Sequence, residues 1–426
     1  MKRCFAGACV WLLSIGCSSS SDPNPVPVNK GGAGGGAGSP TAQAGRGGSN
    51  VAGGGMAAGG AGNSAGNGAG NGSGGALVGG GGSTSSAGNP GTAGSAATAG
   101  SAGNPGSAGS QGAAGGGSLG FKCPAGPFEA PALAGKKATK IVGAPPLDTF
   151  NKQGQDFTNV EGPVWIGDSL YFSEMTGANL PPARILKIGA GNAVSIVSSD
   201  SGSNGLAVDA NGHLFAAVHK DGSVSQVALP GGAETALVSM YGQPAERFNS
   251  PNDLAIRSDG TIYFSDPNYQ NSANPQKAER LYRITPPPTR TVSIATNASD
   301  TGYLRPNGVT FSPDEHTLYV SGSSLKKFAV MADGSLATGS DFVAGESGDG
   351  MAVDCAGNLY VAGGSSAIKV FSAAGALLGS ISTEMGTTTN VAFGGADHKT
   401  IYITVQGSNM VQGVYSVTTN VPGFPY

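Results

Sequence analysis

One short unit recurs six times in the C-terminal part of the chain. Its clearest copy is Asn252-Asp253-Leu254-Ala255-Ile256, then RSDGTIYFSD. Two β-type runs flank a turn that closes on Asp259-Gly260, which is the local chemistry of a β-hairpin. The other copies begin at Glu161, Asn204, Asn307, Asp349 and Thr389, so the steps between first residues are 43, 48, 55, 42 and 40. Each copy is followed by more strand-like sequence, such as Arg184-Ile185-Leu186-Lys187-Ile188 and Ala367-Ile368-Lys369-Val370-Phe371. Helical periodicity is nearly absent, and the runs are β-branched and aromatic.

A strand–turn–strand unit repeated at this spacing predicts an all-β, six-bladed β-propeller over residues 120–426. Each blade is expected to have four strands, the first innermost. Closing the ring needs one more strand, and two segments are candidates: Ala138–Val142 and the tail near Val414–Val417.

Rotational pseudo-symmetry places equivalent residues on a ring. The residues just before the innermost strands, Glu161, Asn204, Asn252, Asn307, Asp349 and Thr389, therefore converge at one end of the channel. Two carboxylates held together without a counter-charge repel. One divalent cation resolves this, and an all-oxygen donor set suits Ca²⁺, Mg²⁺ or Mn²⁺ better than Zn²⁺. Any one of these residues alone reads equally as a turn former; the case rests on the set.

Composition divides the rest. About half of the 75 glycines precede residue 120. Residues 1–17 read as an export signal, with Lys2 and Arg3 before the apolar stretch Cys4–Ile15, which is too short to span a bilayer. The stretch ends Leu13-Ser14-Ile15-Gly16-Cys17 and resembles a bacterial lipobox, making Cys17 a candidate for acylation. Residues 18–119 are low-complexity Gly/Ala/Ser sequence that cannot bury apolar surface, a disordered linker. A coil of that length spans roughly 55 Å on average. The expected location is the outer membrane or periplasm as a lipoprotein, or otherwise secretion. Cys123 and Cys355 are the two cysteines left for the folded part, and export favours pairing them. Net charge is −3, with no basic stripe, which argues against a nucleic-acid partner. The expected state is a monomer.

The stretches EGPVW, NSPNDLAIRSDGTIYFSDP, RPNGVTFSPDEHTLYVS, DGMAVDCAGNLYVA and TNVAFGGADHKTIYIT resemble, in order, the blade motifs of the gluconolactonase / senescence marker protein (regucalcin) family. That resemblance covers residues 155–420. It implies one metal, Ca²⁺ or Zn²⁺, held at Glu161, Asn307 and Asp349, and a substrate contact at Asn252, with Asn204 a candidate for the same task. Where some members carry Arg, two residues before the substrate-binding Asn, this chain has Ser250. The implied activity is metal-dependent lactone hydrolysis with Asp349 as general base. The alternative is a non-enzymatic cell-surface binding propeller with a structural cation. His219, near the site end, reads either as a surface residue or as a pocket-lining one, with the surface reading preferred, and His213, His316 and His398 read as exposed turn residues. No GxSxG motif points to a serine hydrolase.

Overall fold

The inner turns fold as the repeat predicts. In the third copy Arg257 N donates to Thr261 O at 2.8 Å, and Gly260 N to Arg257 O at 2.8 Å. Asp259 Oδ1 accepts Thr261 N at 2.8 Å. Gly260 lies at φ +87°, the left-handed region that favours glycine. The computed structural model describes residues 121–141, 157–175, 183–296, 305–408 and 411–424. The signal at 1–17, Cys17 and the linker at 18–119 lie outside the described residues.

Each turn joins the two inner strands of a four-stranded antiparallel sheet, and there are six such sheets. Blade 1 is Asn159–Ile166, Ser169–Met175, Ala183–Ile188 and Val194–Ser198; blade 2 is Ser203–Val208, Leu214–Val218, Ser223–Val227 and Glu234–Val238. Blade 3 is Leu254–Ile256, Ile262–Asp266, Arg280–Ile284 and Val292–Ile294; blade 4 is Val309–Phe311, Thr317–Val320, Leu325–Ala329 and Ser340–Val343. Blade 5 is Met351–Val353, Leu359–Val361, Ala367–Phe371 and Leu377–Ser382. Blade 6 runs Thr387–Gly394, Thr400–Gln406 and Gly413–Thr418, and takes its outermost strand, Thr139–Lys140, from the N-terminal side of the chain. Both segments proposed for closure thus take part: the tail supplies the third strand and the N-terminal segment the fourth.

The core sits between blades, because side chains alternate faces along a strand. In blade 3, Ile262 and Phe264 pack with Phe215 and Phe248 toward blade 2, while Tyr263 packs with Phe311 and Leu318 toward blade 4. Six such clusters fill the six interfaces, including Val160, Leu170 and Phe172 against Val414 where blade 1 meets blade 6.

Hydrogen bonds link consecutive blades at the site end. The hydroxyls of Ser173 and Ser203 pair at 2.7 Å. Gly205 N donates to Asn252 O at 2.6 Å, and Ser265 Oγ to Asn307 O at 2.6 Å. Ser321 Oγ donates to Asp349 O, Gly350 N to Thr389 O at 2.8 Å, and Thr389 Oγ1 to Val160 O at 3.0 Å, completing the circuit. A disulfide joins Cys123, before the first strand, to Cys355 in the turn of blade 5. The tail holds that turn as well: Pro422 O accepts Cys355 N and Val353 O accepts Phe424 N, both at 2.8 Å. No helix among the described residues is long and apolar enough to cross a membrane.

Candidate functional site

The repeat stacks three layers along the channel. The first residue of each copy, Glu161, Asn204, Asn252, Asn307, Asp349 or Thr389, is polar. The next is glycine in four blades, Gly162, Gly205, Gly308 and Gly350, and a polar side chain in two, Asp253 and Asn390. Then comes an apolar layer of Val164, Leu206, Leu254, Val309, Met351 and Val391, which lines the narrow interior of the channel. In blade 1 a register shift between Glu161 and Val164 accommodates the extra Pro163. The glycines are required by the convergence: a Cβ on Gly205 would lie 2.4 Å from Asp253 Oδ1, and one on Gly350 would lie 1.9 Å from Asn390 Cγ.

Above these layers opens a cavity of about 350 Å³ lined by Glu161, Asn204, Asn252, Asn307 and Asp349 together with Met175, Tyr269, Gln270 and Gln406. Five of the six ring positions therefore face one space. The sixth, Thr389, is buried beside it, its hydroxyl engaged with Val160 O and Thr404 Oγ1. Met175 and Gln406 end the second strands of blades 1 and 6, and Tyr269 and Gln270 lie in the loop after that of blade 3; none was legible in the sequence, because these positions carry no repeated residue type. Gln270 N donates to Ser250 Oγ at 3.3 Å, and Ser250 Oγ donates to Pro267 O at 2.6 Å. Ser250 is fully buried and shapes the loop that carries Tyr269 and Gln270; it does not line the cavity.

Electrostatically the site is an excess of carboxyl groups. The Glu161 carboxyl is pushed well above its ordinary range by burial first, then by the charges of Asp349 and Asp253. Asp349 is raised to about 7, by burial and then by Asp253, against the pull of Asn307 and the Gly350 N–H. Asp253, buried beneath them, is raised to about 7 by desolvation, although Val309 N (3.0 Å) and Leu254 N (2.9 Å) donate to its oxygens. The sequence reading passed over Asp253; the signal for it was an Asp where four other blades carry Gly. No Lys, Arg or His is among the residues lining the cavity. No group of three or more His, Cys, Asp or Glu among the described residues is disposed to hold a metal ion. The donors here are instead two carboxyls joined by amides, all oxygen, the chemistry of hard cations.

Two histidines depart from the expectation of exposure. His219 is buried, with neither ring nitrogen hydrogen-bonded, and desolvation lowers it to about 4. It does not line the cavity. His398 is buried against Phe121, ring centroids 4.0 Å apart.

Residues 160–407 match the family model described as the SMP-30/Gluconolactonase/LRE-like region. The chain belongs to that family. A gluconolactonase of Zymomonas mobilis is 29% identical over 282 residues, covering 57% of this chain and 75% of that protein. The solved structure of a Xanthomonas campestris gluconolactonase aligns with a TM-score of 0.53 at 29% identity, over 63% of this chain and 88% of that one. A calcium-binding regucalcin from Agrobacterium tumefaciens aligns with a TM-score of 0.51 at 16% identity, over 66% of this chain and 97% of that one, a likeness of fold alone.

Proposed function

We propose that the protein is a cation-dependent hydrolase of lactones. The observation that carries this is the polar cavity at the channel end, where Glu161, Asn307, Asp349, Asn252 and Asn204 converge in a chain of this family. Glu161, Asn307 and Asp349 would hold one divalent cation, with Ca²⁺ preferred for all-oxygen donors and Zn²⁺, Mg²⁺ and Mn²⁺ the alternatives. Such a cation supplies charge stabilisation to the carbonyl oxygen of a bound lactone. Asn252 and Asn204 orient the substrate, each offering both donors and an acceptor. Asp349 acts as general base, taking a proton from the water that attacks the carbonyl carbon. The ring C–O bond then breaks, and the proton passes from Asp349 to the departing alkoxide, giving the hydroxy acid. The apolar layer beneath limits water to the open side.

The test is turnover of a lactone panel by the full chain with and without EDTA. Chelator-sensitive hydrolysis is expected. Asp349→Asn should lower kcat by about 10²–10⁴, the usual worth of a general base, with the fold intact by circular dichroism. Near wild-type turnover in that variant removes Asp349 from the mechanism. Cation binding with no turnover on any lactone would assign a binding module instead. Export as a lipoprotein acylated on Cys17 remains part of the proposal, supported by the Cys123–Cys355 disulfide, which belongs to an oxidising compartment.

A further inference from the structure

A second pocket lies at the far end of the channel. Each inner strand starts at the polar cavity and ends at its turn, so the turns 209–212 of blade 2 and 257–260 of blade 3 stand away from Glu161 and Asp349. Between these turns and the loop 285–291 of blade 3 is a cavity of about 120 Å³. Asp209, Phe215, Ile256, Arg257, Asp259 and Arg290 are among its lining residues.

Three of the four charged side chains there are already engaged. Asp209 Oδ1 accepts Asn211 N at 2.9 Å and His213 N at 2.8 Å, and its Oδ2 lies 2.9 Å from His213 Nδ1. Asp259 Oδ1 accepts Thr261 N at 2.8 Å, and its Oδ2 accepts Arg257 Nη1 at 3.1 Å. Arg257 Nε also lies 3.6 Å from Glu315 Oε2. Arg290 differs. Among the described residues no hydrogen bond or ion pair reaches its guanidinium, and Nη1 is buried. The guanidinium carbon stands 6.0 Å from the centroid of the Phe215 ring.

The loop holds Arg290 in that place. Its backbone lies at φ +47°, a region that long side chains rarely adopt. Such a conformation persists where the surroundings impose it, and it recurs at ligand clamps. Here Arg290 N donates to Pro286 O at 3.4 Å, Thr289 Oγ1 to Pro286 O at 3.2 Å, and Thr291 N to Thr285 Oγ1 at 2.8 Å. Gly260 lets the blade 3 turn close on Pro287, since a Cβ there would lie 3.0 Å from Pro287 Cδ. Pro287, Ile256 and Phe215 give the pocket its apolar wall.

A partly buried cation lacks a counter-charge here, and one negative charge supplies it. Asp209 and Asp259 would repel a doubly charged anion. The planar fork of a guanidinium matches a carboxylate through two parallel N–H···O bonds. We propose that this pocket binds a small organic monocarboxylate, with the carboxylate on Arg290 and the apolar body against Phe215, Ile256 and Pro287. The site is separate from the polar cavity and does not depend on the lactone chemistry.

The test is titration calorimetry of the full chain with sodium benzoate and, in parallel, with inorganic phosphate. EDTA is present throughout, so that no cation in the polar cavity captures the carboxylate. Wild type should bind benzoate more tightly than phosphate. Arg290→Met keeps the side chain's length and removes the fork; the benzoate Kd should rise by about 10–100-fold, the usual worth of hydrogen bonds to a charged group. Arg290→Lys keeps the charge without the fork and should fall between the two. Arg283→Met removes a guanidinium of the same blade that donates to Asp333 O and does not line the pocket, and should leave the Kd unchanged. Wild type that binds no benzoate overturns the proposal. So does an unchanged Kd in Arg290→Met, which would put the carboxylate elsewhere, and so does phosphate binding tighter than benzoate.

Discussion

His219 stands where blade 1 has Met175 and blade 6 has Gln406, just after the second strand of its blade. Both of those residues line the cavity, whereas His219 is buried with two unpartnered nitrogens. A buried polar group without partners costs about 1–3 kcal/mol. Its folded-state value, about 4, lies below the ordinary 6.5, so the folded chain binds fewer protons than the unfolded chain between these pH values. Stability linked to His219 is therefore present above pH 6.5 and is lost as the pH falls toward 4. His219→Met is expected to stabilise by about 1–3 kcal/mol at pH 7, and by more at pH 5. Thermal melts at the two pH values measure both. An unchanged melting temperature at both would mean that the ring finds partners in solution.

At the scale of the element, the repeat was legible because the hairpin chemistry is local. A strand–turn–strand unit needs only a dozen residues to declare itself, and six copies declare a ring. The first polar layer followed from symmetry alone. The second did not, since Asp253 and Asn390 occupy positions where the other blades have glycine and only the neighbouring blade shows why. Asp253 fills the space over Gly205 of blade 2, and Asn390 that over Gly350 of blade 5. Tyr269 was illegible for another reason: it lies in the loop after the second strand of blade 3, whose length and sequence no other blade repeats. The layering itself is testable. Gly350→Ala drives a methyl into the Asn390 amide and should cost about 1–3 kcal/mol, as overpacking does, and should disturb Asp349 next to it. Gly231→Ala, with nothing within 4 Å, is the control expected to leave stability and activity unchanged. Equal denaturant midpoints for the two variants would contradict the close approach.

For the molecule as a whole, the closed ring concentrates acid groups that water would otherwise separate. Asp349 in the cavity lining and, outside it, Asp253 and Asp266 are each raised to about 7 from an ordinary 3.8, all chiefly by desolvation. Glu161 is raised as well. For a carboxyl raised on folding, the folded chain holds the proton longer than the unfolded one. Its contribution to stability is present below about pH 4 and is lost as the pH rises through about 7. In EDTA, these groups make the protein less stable from pH 5 to 8, while His219 tilts the same curve the other way below pH 6.5. A cation that binds Glu161 and Asp349 needs them ionised, so its affinity rises over the same window. At a thousandfold excess over Kd, binding adds about 4 kcal/mol. The difference between melting temperatures in calcium and in EDTA should therefore widen steadily from pH 5 to pH 8. That difference cancels Asp266 and His219, which titrate alike in both buffers, and isolates the carboxyls of the cavity. Paired melts at half-unit pH steps measure it. A difference that is constant across the window would place the cation on groups other than Glu161 and Asp349.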